Sequence, residues 1–301
     1  MSDAPDTSPT LHTFRPLPPG IGTLLNPEGA ELAAEHSNLP HSPAECITCH
    51  GTKTFRWYVD AGYTEVGYYA CPCEDQYIAH RYFLRAGIPL NYQRMHWTDL
   101  HTEDKARDEA IGDYVENAEG YLNAGTGMIL TGEAGAGKTL ISALLLKRLL
   151  GTVGTDGKSR TGRMVDTSRL VTEYMATWSR DGASMAKYRL NRDVLNVDIL
   201  VVDDLGRERQ GGTHDQNARS AAQSSLEAIF RHRVQACLPT IVSTNKTSGD
   251  LHGSYGSHIT NVLDECSVIV NFTGENGRPV TQRRTIAEVQ KRLVRPIFYG
   301  S

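Results

Sequence analysis

Residues 132–139 have the sequence Gly132-Glu133-Ala134-Gly135-Ala136-Gly137-Lys138-Thr139, which matches the pattern G-x-x-x-x-G-K-[ST] throughout. The apolar run before it predicts a buried strand, and the leucine-rich segment 140–150 after it predicts a helix. Glycines let such a loop curl so that successive backbone N–H groups face one anion, and the helix N-terminus adds further free N–H groups. This context predicts a phosphate-binding loop, in which Lys138 contacts the β- and γ-phosphates of a nucleotide and the Thr139 hydroxyl ligates Mg²⁺.

A second apolar run, residues 198–202, ends in the paired carboxylates Asp203 and Asp204. It predicts a parallel strand buried on both faces, and open α/β sheets bind ligands at the carboxyl ends of such strands. We expect Asp203 to contact Mg²⁺ directly or through water, and Asp204 to act as the general base that polarises the attacking water. The alternative is a strand that ends in a solvated acidic turn.

Short apolar runs alternate with helical segments from residue 127 onward, which predicts an α/β fold with a parallel sheet flanked by helices. The predicted strands are 127–131, 163–167, 198–203, 239–244 and 267–272, and a helix is predicted over 102–122. The run 239–244 follows the acidic strand along the chain. A strand beside the acidic one would place Asn245 near the γ-phosphate and the attacking water.

Four of the six cysteines form two closely spaced pairs, Cys46-x-x-Cys49 and Cys71-x-Cys73. Two chelating pairs about twenty residues apart predict one tetrahedral Zn²⁺ bound by four thiolates. His50 and His41 are reserve ligands if one cysteine is not used, and the alternatives to a metal are four buried thiols or a redox pair. The other two cysteines, Cys237 and Cys266, flank predicted strands and are expected to pack in the core.

Composition limits the classes of protein that fit. The chain has 301 residues, a formal net charge of −4 and 39% hydrophobic residues, which suits one α/β domain plus a small module and gives no strong polyanion-binding signature. A local basic patch could still bind nucleic acid. No apolar stretch reaches the ~18 residues of a membrane span, and the polar N-terminus lacks the apolar centre of a signal peptide. We therefore expect a cytoplasmic protein with reduced cysteines and no membrane partner.

The order of the motifs resembles AAA+ ATPases of the DnaC/DnaI type, which are bacterial and phage loaders of the replicative helicase, and the related IstB-type transposition helpers. The motifs are the phosphate loop, residues 202–208 (Val-Asp-Asp-Leu-Gly-Arg-Glu), residues 229–233 (Ile-Phe-Arg-His-Arg) and residues 239–245 (Pro-Thr-Ile-Val-Ser-Thr-Asn). The resemblance covers roughly residues 87–274. It implies an AAA+ P-loop ATPase that uses ATP and Mg²⁺, with Asp203 and Asp204 in the Walker B roles and Asn245 in the sensor-1 role.

The resemblance also implies partners. These are a hexameric, DnaB-like replicative helicase and single-stranded DNA, with a homo-oligomer possible. In family members an arginine usually precedes a leucine in the helix after sensor 1 and reaches the ATP of the neighbouring subunit, but here Val262 precedes Leu263. This departure implies slow hydrolysis, a displaced arginine or a subunit that acts as an ATP-bound monomer. Arg278 and Arg283 are candidate substitutes, and both are equally consistent with solvated surface residues.

These patterns predict that the chain has four parts: a flexible Pro-rich tail over 1–43, a zinc-binding module over 44–82, a linker over 83–101 and the AAA+ domain over 102–301. The sequence predicts an ATP-dependent loader of a replicative helicase. An IstB-like helper or a DnaA-like initiator is the first alternative, and another P-loop NTPase with an unrelated zinc module is the second. The cysteine module favours the loader, because DnaI-type loaders resemble this layout and IstB-type helpers typically do not.

Overall fold

The computed structural model describes residues 54–58, 65–70, 82–93, 95–100, 104–150, 152, 154–155, 157–179, 182–206, 216–273 and 277. Toward the N-terminus, strands β1 (Thr54–Tyr58) and β2 (Glu65–Ala70) form an antiparallel pair. The predicted tail lies outside the described residues, and so do the predicted zinc ligands, Cys46, Cys49, Cys71 and Cys73, and the reserve ligands His41 and His50. The zinc site therefore stays a prediction.

Five parallel strands form the central sheet in the spatial order β4-β5-β6-β3-β7. Their bounds are β3 Gly127–Gly132, β4 Gly162–Asp166, β5 Ile199–Leu205, β6 Thr240–Thr244 and β7 Ser267–Phe272. The predicted parallel sheet is confirmed. Strand β6 separates β3, which leads into the glycine-rich loop, from β5, which carries the two acids.

Successive residues of the central strands pack on opposite faces of the sheet, as the pleat of a strand requires. In β3, Met128 and Leu130 join one apolar cluster, whereas Ile129 joins a second cluster. In β6, Ile241 and Val242 divide between the same two clusters. All five side chains are at most 3% exposed. Burial on both faces explains why the strands are uninterrupted apolar runs in the sequence.

Helices cover both faces of the sheet and complete a three-layer arrangement. Their bounds are α1 Leu90–Gln93, α2 Lys105–Glu116, α3 Ala118–Asn123, α4 Lys138–Leu149, α5 Thr167–Met175, α6 Ala183–Leu190, α7 Gln216–Gln235 and α8 Ser248–Glu265. Helices α2, α3 and α4 contribute to the first apolar cluster, and α5, α7 and α8 contribute to the second. None of the helices in the described part of the chain has the length and apolar content that a bilayer crossing requires.

The helix predicted over 102–122 is two helices in the structure, because the backbone leaves the helical range at Asn117 (φ −101°, ψ 23°). The Asn117 side chain donates to Oδ1 of Asp113 at 2.8 Å, and such local hydrogen bonds compete with a continuous helix. Helix α2 begins at Lys105, where Oδ1 of Asp104 accepts a hydrogen bond from the backbone N–H of Arg107 at 3.1 Å. Because this side-chain cap fixes the start, the helix begins at Lys105, three residues later than the spacing of apolar residues predicted.

The segment predicted as a linker packs onto the α/β domain. Phe83, Ala86 and Ile88 are at most 3% exposed and belong to the first apolar cluster. The backbone N–H of Met164 in β4 donates to the carbonyl of Ala86 at 2.6 Å. Residues 83–88 therefore share the apolar core of the sheet and its helices.

The prediction that both isolated cysteines pack in the core is wrong. Cys237 is exposed and has a left-handed backbone (φ 50°), and Cys266 is only partly buried. Both lie in connections at the amino-terminal edge of the sheet, just before β6 and β7, rather than within the strands. Periodicity identified the strands but not the exposure of the residues that lead into them.

Candidate functional site: a strand–loop–helix unit beside an acidic strand

The glycine-rich loop connects the carboxyl end of β3 to the start of α4, in the predicted strand–loop–helix order. Gly135 (φ 90°) and Gly137 (φ 93°) both lie in the left-handed region, which glycine adopts without the steric penalty of a Cβ. Gly137 is the N-cap of α4, and a glycine has no side chain that could accept from the first N–H groups of the helix. Its first N–H groups and the positive end of its dipole therefore face the loop, which is the arrangement that binds phosphate groups.

Lys138 is the first residue of α4 and is 5% exposed. Its Nζ donates hydrogen bonds to the carbonyls of Gly132 at 2.8 Å and Glu133 at 2.7 Å. The ammonium group is therefore held over the first two residues of the loop. A cation thus lies beside a loop of the type that binds anions, so the charge of Lys138 and the loop can act on the same phosphate groups.

Thr139 joins the loop to the acidic strand. Its Oγ1 donates to Oδ1 of Asp203 in β5 at 3.0 Å, although the two residues are 64 positions apart in the chain. Mg²⁺ binds oxygen ligands octahedrally at about 2.1 Å, so neighbouring ligands of one ion lie about 3.0 Å apart. The hydroxyl and carboxylate oxygens are thus of the type and at the separation that one Mg²⁺ requires, and this pair fits the predicted ion.

Strand β5 contains an irregularity at the two acids. Val202 lies opposite Val242 and Leu205 lies opposite Thr244, so that two residues of β5, Asp203 and Asp204, match one residue of β6. Asp204 has a left-handed backbone (φ 57°), which is uncommon for a non-glycine residue. Such a bulge re-aims side chains where regular alternation would point neighbours to opposite faces.

Two buried hydroxyls hold the acidic residues in addition to Thr139. The fully buried Ser243 of β6 donates from Oγ to Oδ1 of Asp203, and its Oγ accepts from the backbone N–H of Asp204 at 3.0 Å. Thr167, which begins α5, donates to the backbone carbonyl of Asp203 at 2.9 Å. Asp203 is therefore held by neighbours on three different elements, and two of them, Thr139 and Ser243, contact its carboxylate.

Burial raises the pKa of Asp203 above its ordinary value, and the nearby charge of Asp204 acts in the same direction. Hydrogen bonds from Ser243 and Thr139 act against this rise, because they favour the ionised carboxylate. A carboxylate whose negative charge is disfavoured by burial gains strongly from a bound cation. This electrostatic situation is the one expected at a cation-binding carboxylate.

Asn245 lies one residue beyond the Thr244–Leu205 pair and is exposed at the carboxyl end of β6. The structure thus brings the three predicted nucleotide-site elements to one edge of the sheet: the loop after β3, the acids of β5 and the amide after β6. Val262, at the position of the family arginine, packs against the second apolar cluster of its own chain. Arg278 and Arg283 lie outside the described residues.

Sequence reasoning missed Ser243 and Thr167 as neighbours of the acids. Ser243 lies inside the predicted strand 239–244 and Thr167 ends the predicted strand 163–167, and Ser and Thr are so common near strand ends and turns that residue type alone carried no signal. The expected order of the strands did contain a signal, because Ser243 lies two residues before Asn245 on the strand expected beside the acidic one. Only the register between the strands shows that it lies opposite both acids.

The site has the strand, glycine loop and helix of the P-loop nucleotide-binding architecture. No protein-family model and no curated protein matches the chain. Solved structures similar to it include a candidate primosome component from Streptococcus pyogenes serotype M3, at 22% identity over 62% of this chain and 91% of that chain, with a TM-score of 0.46.

Two further structures are similar at the same level. DnaI matches at 20% identity over 62% of this chain and 94% of that chain, with a TM-score of 0.48. The replication initiator DnaA bound to AMPPCP and single-stranded DNA matches at 12% identity over 67% of this chain and 56% of that chain, with a TM-score of 0.46. DnaI is a member of the class that the sequence motifs resemble. At these identities, a functional assignment depends on the residues of this chain.

Proposed function

We propose that this protein binds Mg·ATP at the edge of the sheet and hydrolyses it slowly. The observation that carries this proposal is the 3.0 Å contact between Thr139 and Asp203, because it joins a phosphate-type loop to a carboxylate from a second strand. In this proposal the backbone of residues 132–139 and Lys138 bind the phosphates, and Thr139 and Asp203 hold Mg²⁺. Mg²⁺ would neutralise phosphate charge and orient the γ-phosphate.

The chemical step is assigned to residues at the carboxyl ends of β5 and β6. Asp204 accepts a proton from the attacking water as general base, and the amide of Asn245 hydrogen-bonds that water or the γ-phosphate. Hydrolysis is slow in this proposal, because Val262 occupies the place of the usual arginine and packs against the second apolar cluster of its own chain. A trans-acting arginine is worth about 10³–10⁵ in rate in other nucleotide hydrolases.

The role proposed for the ATPase is that of an assembly factor, which loads a hexameric replicative helicase onto single-stranded DNA. The order of the motifs in residues 87–274 and the paired cysteines before them support this class over a metabolic NTPase. ATP binding is the switch in this proposal, because a γ-phosphate and its Mg²⁺ can order loops around the site.

A division of labour within the chain is part of the proposal. The tail and the cysteine module, residues 1–82, bind the helicase, whereas the α/β domain responds to nucleotide and single-stranded DNA. Zinc bound by Cys46, Cys49, Cys71 and Cys73 stabilises a module that is too small for a core of its own. Because the chain is acidic overall, DNA binding depends on local Lys and Arg side chains and weakens as salt rises.

Affinity capture on a purified hexameric replicative helicase from the native host tests this function. Full-length protein is compared with protein that starts at Phe83, which belongs to the first apolar cluster and is therefore kept. We expect the full chain to bind the helicase with ATP present, and the shortened chain to bind ATP but not the helicase. Lys138→Ala provides the nucleotide control. Equal capture of both chains would place the helicase surface on the α/β domain, and failure of the full chain to bind the helicase with ATP present would contradict the loader role.

A further inference from the structure

Ser243 is hydrogen-bonded to both Asp203 and Asp204, although it lies 40 and 39 residues after them in the chain. It is fully buried. A hydroxyl has one proton to donate and two lone pairs to accept with. The Ser243 hydroxyl donates its proton to Oδ1 of Asp203, and its oxygen accepts a hydrogen bond from the backbone N–H of Asp204 at 3.0 Å. One side chain therefore contacts both acids, through a carboxylate in one case and the backbone in the other.

The register of the sheet explains why a single serine reaches both residues. The pairs Val202–Val242 and Leu205–Thr244 leave Asp203 and Asp204 together opposite Ser243. A bulge interrupts the ladder of backbone hydrogen bonds at the inserted residue. The left-handed backbone of Asp204 (φ 57°) is strained for a non-glycine residue and persists only when neighbours hold it. Ser243 supplies such a neighbour, since its oxygen accepts from the Asp204 N–H at this turn.

We infer that Ser243 is a positioning residue for Mg²⁺ at the proposed ATPase site. This inference rests on the proposed function. Its hydroxyl and that of Thr139 both donate to the same oxygen, Oδ1 of Asp203, and so hold the carboxylate in one orientation. Without the Ser243 hydroxyl, the Asp203 carboxylate can rotate away from Thr139, and the N–H of Asp204 loses an acceptor at the strained turn. Outer hydrogen bonds of this type orient the ligands of metal ions.

The neighbouring residue Thr244 provides a matched control. It is also fully buried in β6, and its Oγ1 also donates to β5, to the carbonyl of Leu205 at 2.7 Å. Within the described residues its hydroxyl bonds to the Leu205 carbonyl and the Lys246 N–H rather than to either acid, and it has no part in the proposed binding of phosphate or Mg²⁺. Thr244→Val and Ser243→Ala each remove one buried hydroxyl that links the same two strands. Only Ser243→Ala removes a hydroxyl bonded to the acidic pair.

The test measures nucleotide binding and hydrolysis in full-length protein as Mg²⁺ is varied. For Ser243→Ala we expect the Mg²⁺ concentration for half-maximal ATP binding to rise by about 10–100-fold, the range for loss of an outer hydrogen bond to a metal ligand. ATP binding without Mg²⁺ should stay at the wild-type level, because the phosphate loop is unchanged. Ser243→Thr, which keeps the hydroxyl, should restore the Mg²⁺ dependence. Both Ser243→Ala and Thr244→Val should lower Tm by about 2–4 °C.

The outcomes separate a positioning role from a structural one. If Ser243→Ala keeps the wild-type Mg²⁺ dependence, or if Thr244→Val shifts it by as much, the Ser243 hydroxyl only forms hydrogen bonds with buried polar groups of the sheet. The inference is then overturned. In both cases the wild-type protein binds Mg·ATP and the proposed function stands. If the wild-type protein shows no Mg²⁺-dependent nucleotide binding, the proposed function fails first and the role of Ser243 falls with it.

Discussion

The hydroxyl of Thr139 lies 3.0 Å from Oδ1 of Asp203, and this contact joins the first turn of α4 to the carboxyl end of β5. The two strands that lead to these residues are not neighbours, because β6 lies between them. The contact therefore spans one strand of the sheet and depends on the length of the loop and on the bulge in β5. It is the point at which the phosphate loop and the acidic strand act as one site.

The first prediction concerns this contact. Thr139→Val keeps the size of the side chain but removes the oxygen that would ligate Mg²⁺, so we expect the Mg²⁺ concentration for half-maximal ATP binding to rise by at least about 10-fold. Thr139→Ser keeps the oxygen and serves as the control. Titration of Mg²⁺ at fixed ATP measures the effect. A wild-type titration curve for Thr139→Val would show that this hydroxyl is not a ligand.

A second prediction concerns the chemical step. Asp204→Asn should keep Mg·ATP binding and lower the rate of hydrolysis by about 10²–10⁴-fold, because an amide cannot accept the proton of the attacking water. Asp166→Asn makes the same substitution at the same edge of the sheet, where Asp166 caps α5 and pairs in register with Asp203. Asparagine also caps helices well, so Asp166→Asn should hydrolyse ATP normally. Hydrolysis by Asp204→Asn at the wild-type rate would exclude Asp204 as the base.

The third prediction concerns pH and a buried cation. Lys147 in α4 is fully buried, and its Nζ donates to the carbonyls of Met95 at 2.6 Å, Tyr92 at 3.4 Å and Gln93 at 3.5 Å. Burial lowers the pKa of Lys147 to about 7, and the charge of Asp99 acts in the opposite direction. In the unfolded chain this pKa is about 10.4. Between these two values the unfolded chain binds one proton more than the folded chain, so stability rises with pH in this window and is independent of this group below it.

Urea unfolding at pH 7, 8 and 9 checks this expectation. The free energy of unfolding of the wild-type protein should rise with pH more steeply than that of Lys147→Met, by up to about 1.4 kcal/mol per pH unit. The comparison is between slopes, because Lys147→Met also leaves three carbonyls without their donor and lowers stability at every pH. Equal slopes would mean that Lys147 stays charged in the folded protein, with its carbonyl acceptors compensating for burial.

A fourth prediction concerns metal content. Purified protein should contain about one Zn²⁺ per chain, and the double variant Cys71→Ser, Cys73→Ser should lose it, since four thiolates are needed for the tetrahedral site. Nucleotide binding should persist in that variant, because the α/β domain has its own two-sided core. Cys237→Ser is the control, as Cys237 is an exposed cysteine outside the predicted site. Metal analysis that finds no zinc in protein prepared without chelators would contradict the prediction.

The sequence predicted the parts of this structure that depend on local pattern. The glycine spacing and Lys138 identified the loop, and the continuous apolar run before Asp203 identified a strand buried on both faces. The expectation that the strand before Asn245 lies beside the acidic one is confirmed by the pairing of β5 with β6. The loop and the buried strand follow from residues that are close together in the chain, which is where sequence patterns carry most information.

The parts that could not be predicted depend on contacts between distant residues. The bulge at Asp204 and its contact with Ser243 follow from the register of two strands, which neither strand contains alone. Lys147 and Arg233 occupy positions where a charged side chain ordinarily reaches solvent. Both are fully buried instead, and Arg233 donates to the carbonyls of Val194 at 2.7 Å and Pro239 at 2.8 Å. Apart from the Thr240 hydroxyl, which accepts from Nε of Arg233 at 3.0 Å, the acceptors named for the two side chains are backbone carbonyls, and a carbonyl gives the sequence no sign of its partner.

Mg·ATP binding by Lys138→Ala tests the central claim most directly, because the claim is that the loop after β3 is a nucleotide site. Equilibrium dialysis with labelled ATP should show saturable, Mg²⁺-dependent binding to the wild-type protein, and at least about 30-fold weaker binding to Lys138→Ala, since a buried charged contact costs about 2 kcal/mol or more to remove. Lys187→Ala, which removes an exposed lysine of α6, should bind as the wild type does. Absence of Mg²⁺-dependent binding to the wild-type protein, or equal binding to Lys138→Ala, would contradict the account.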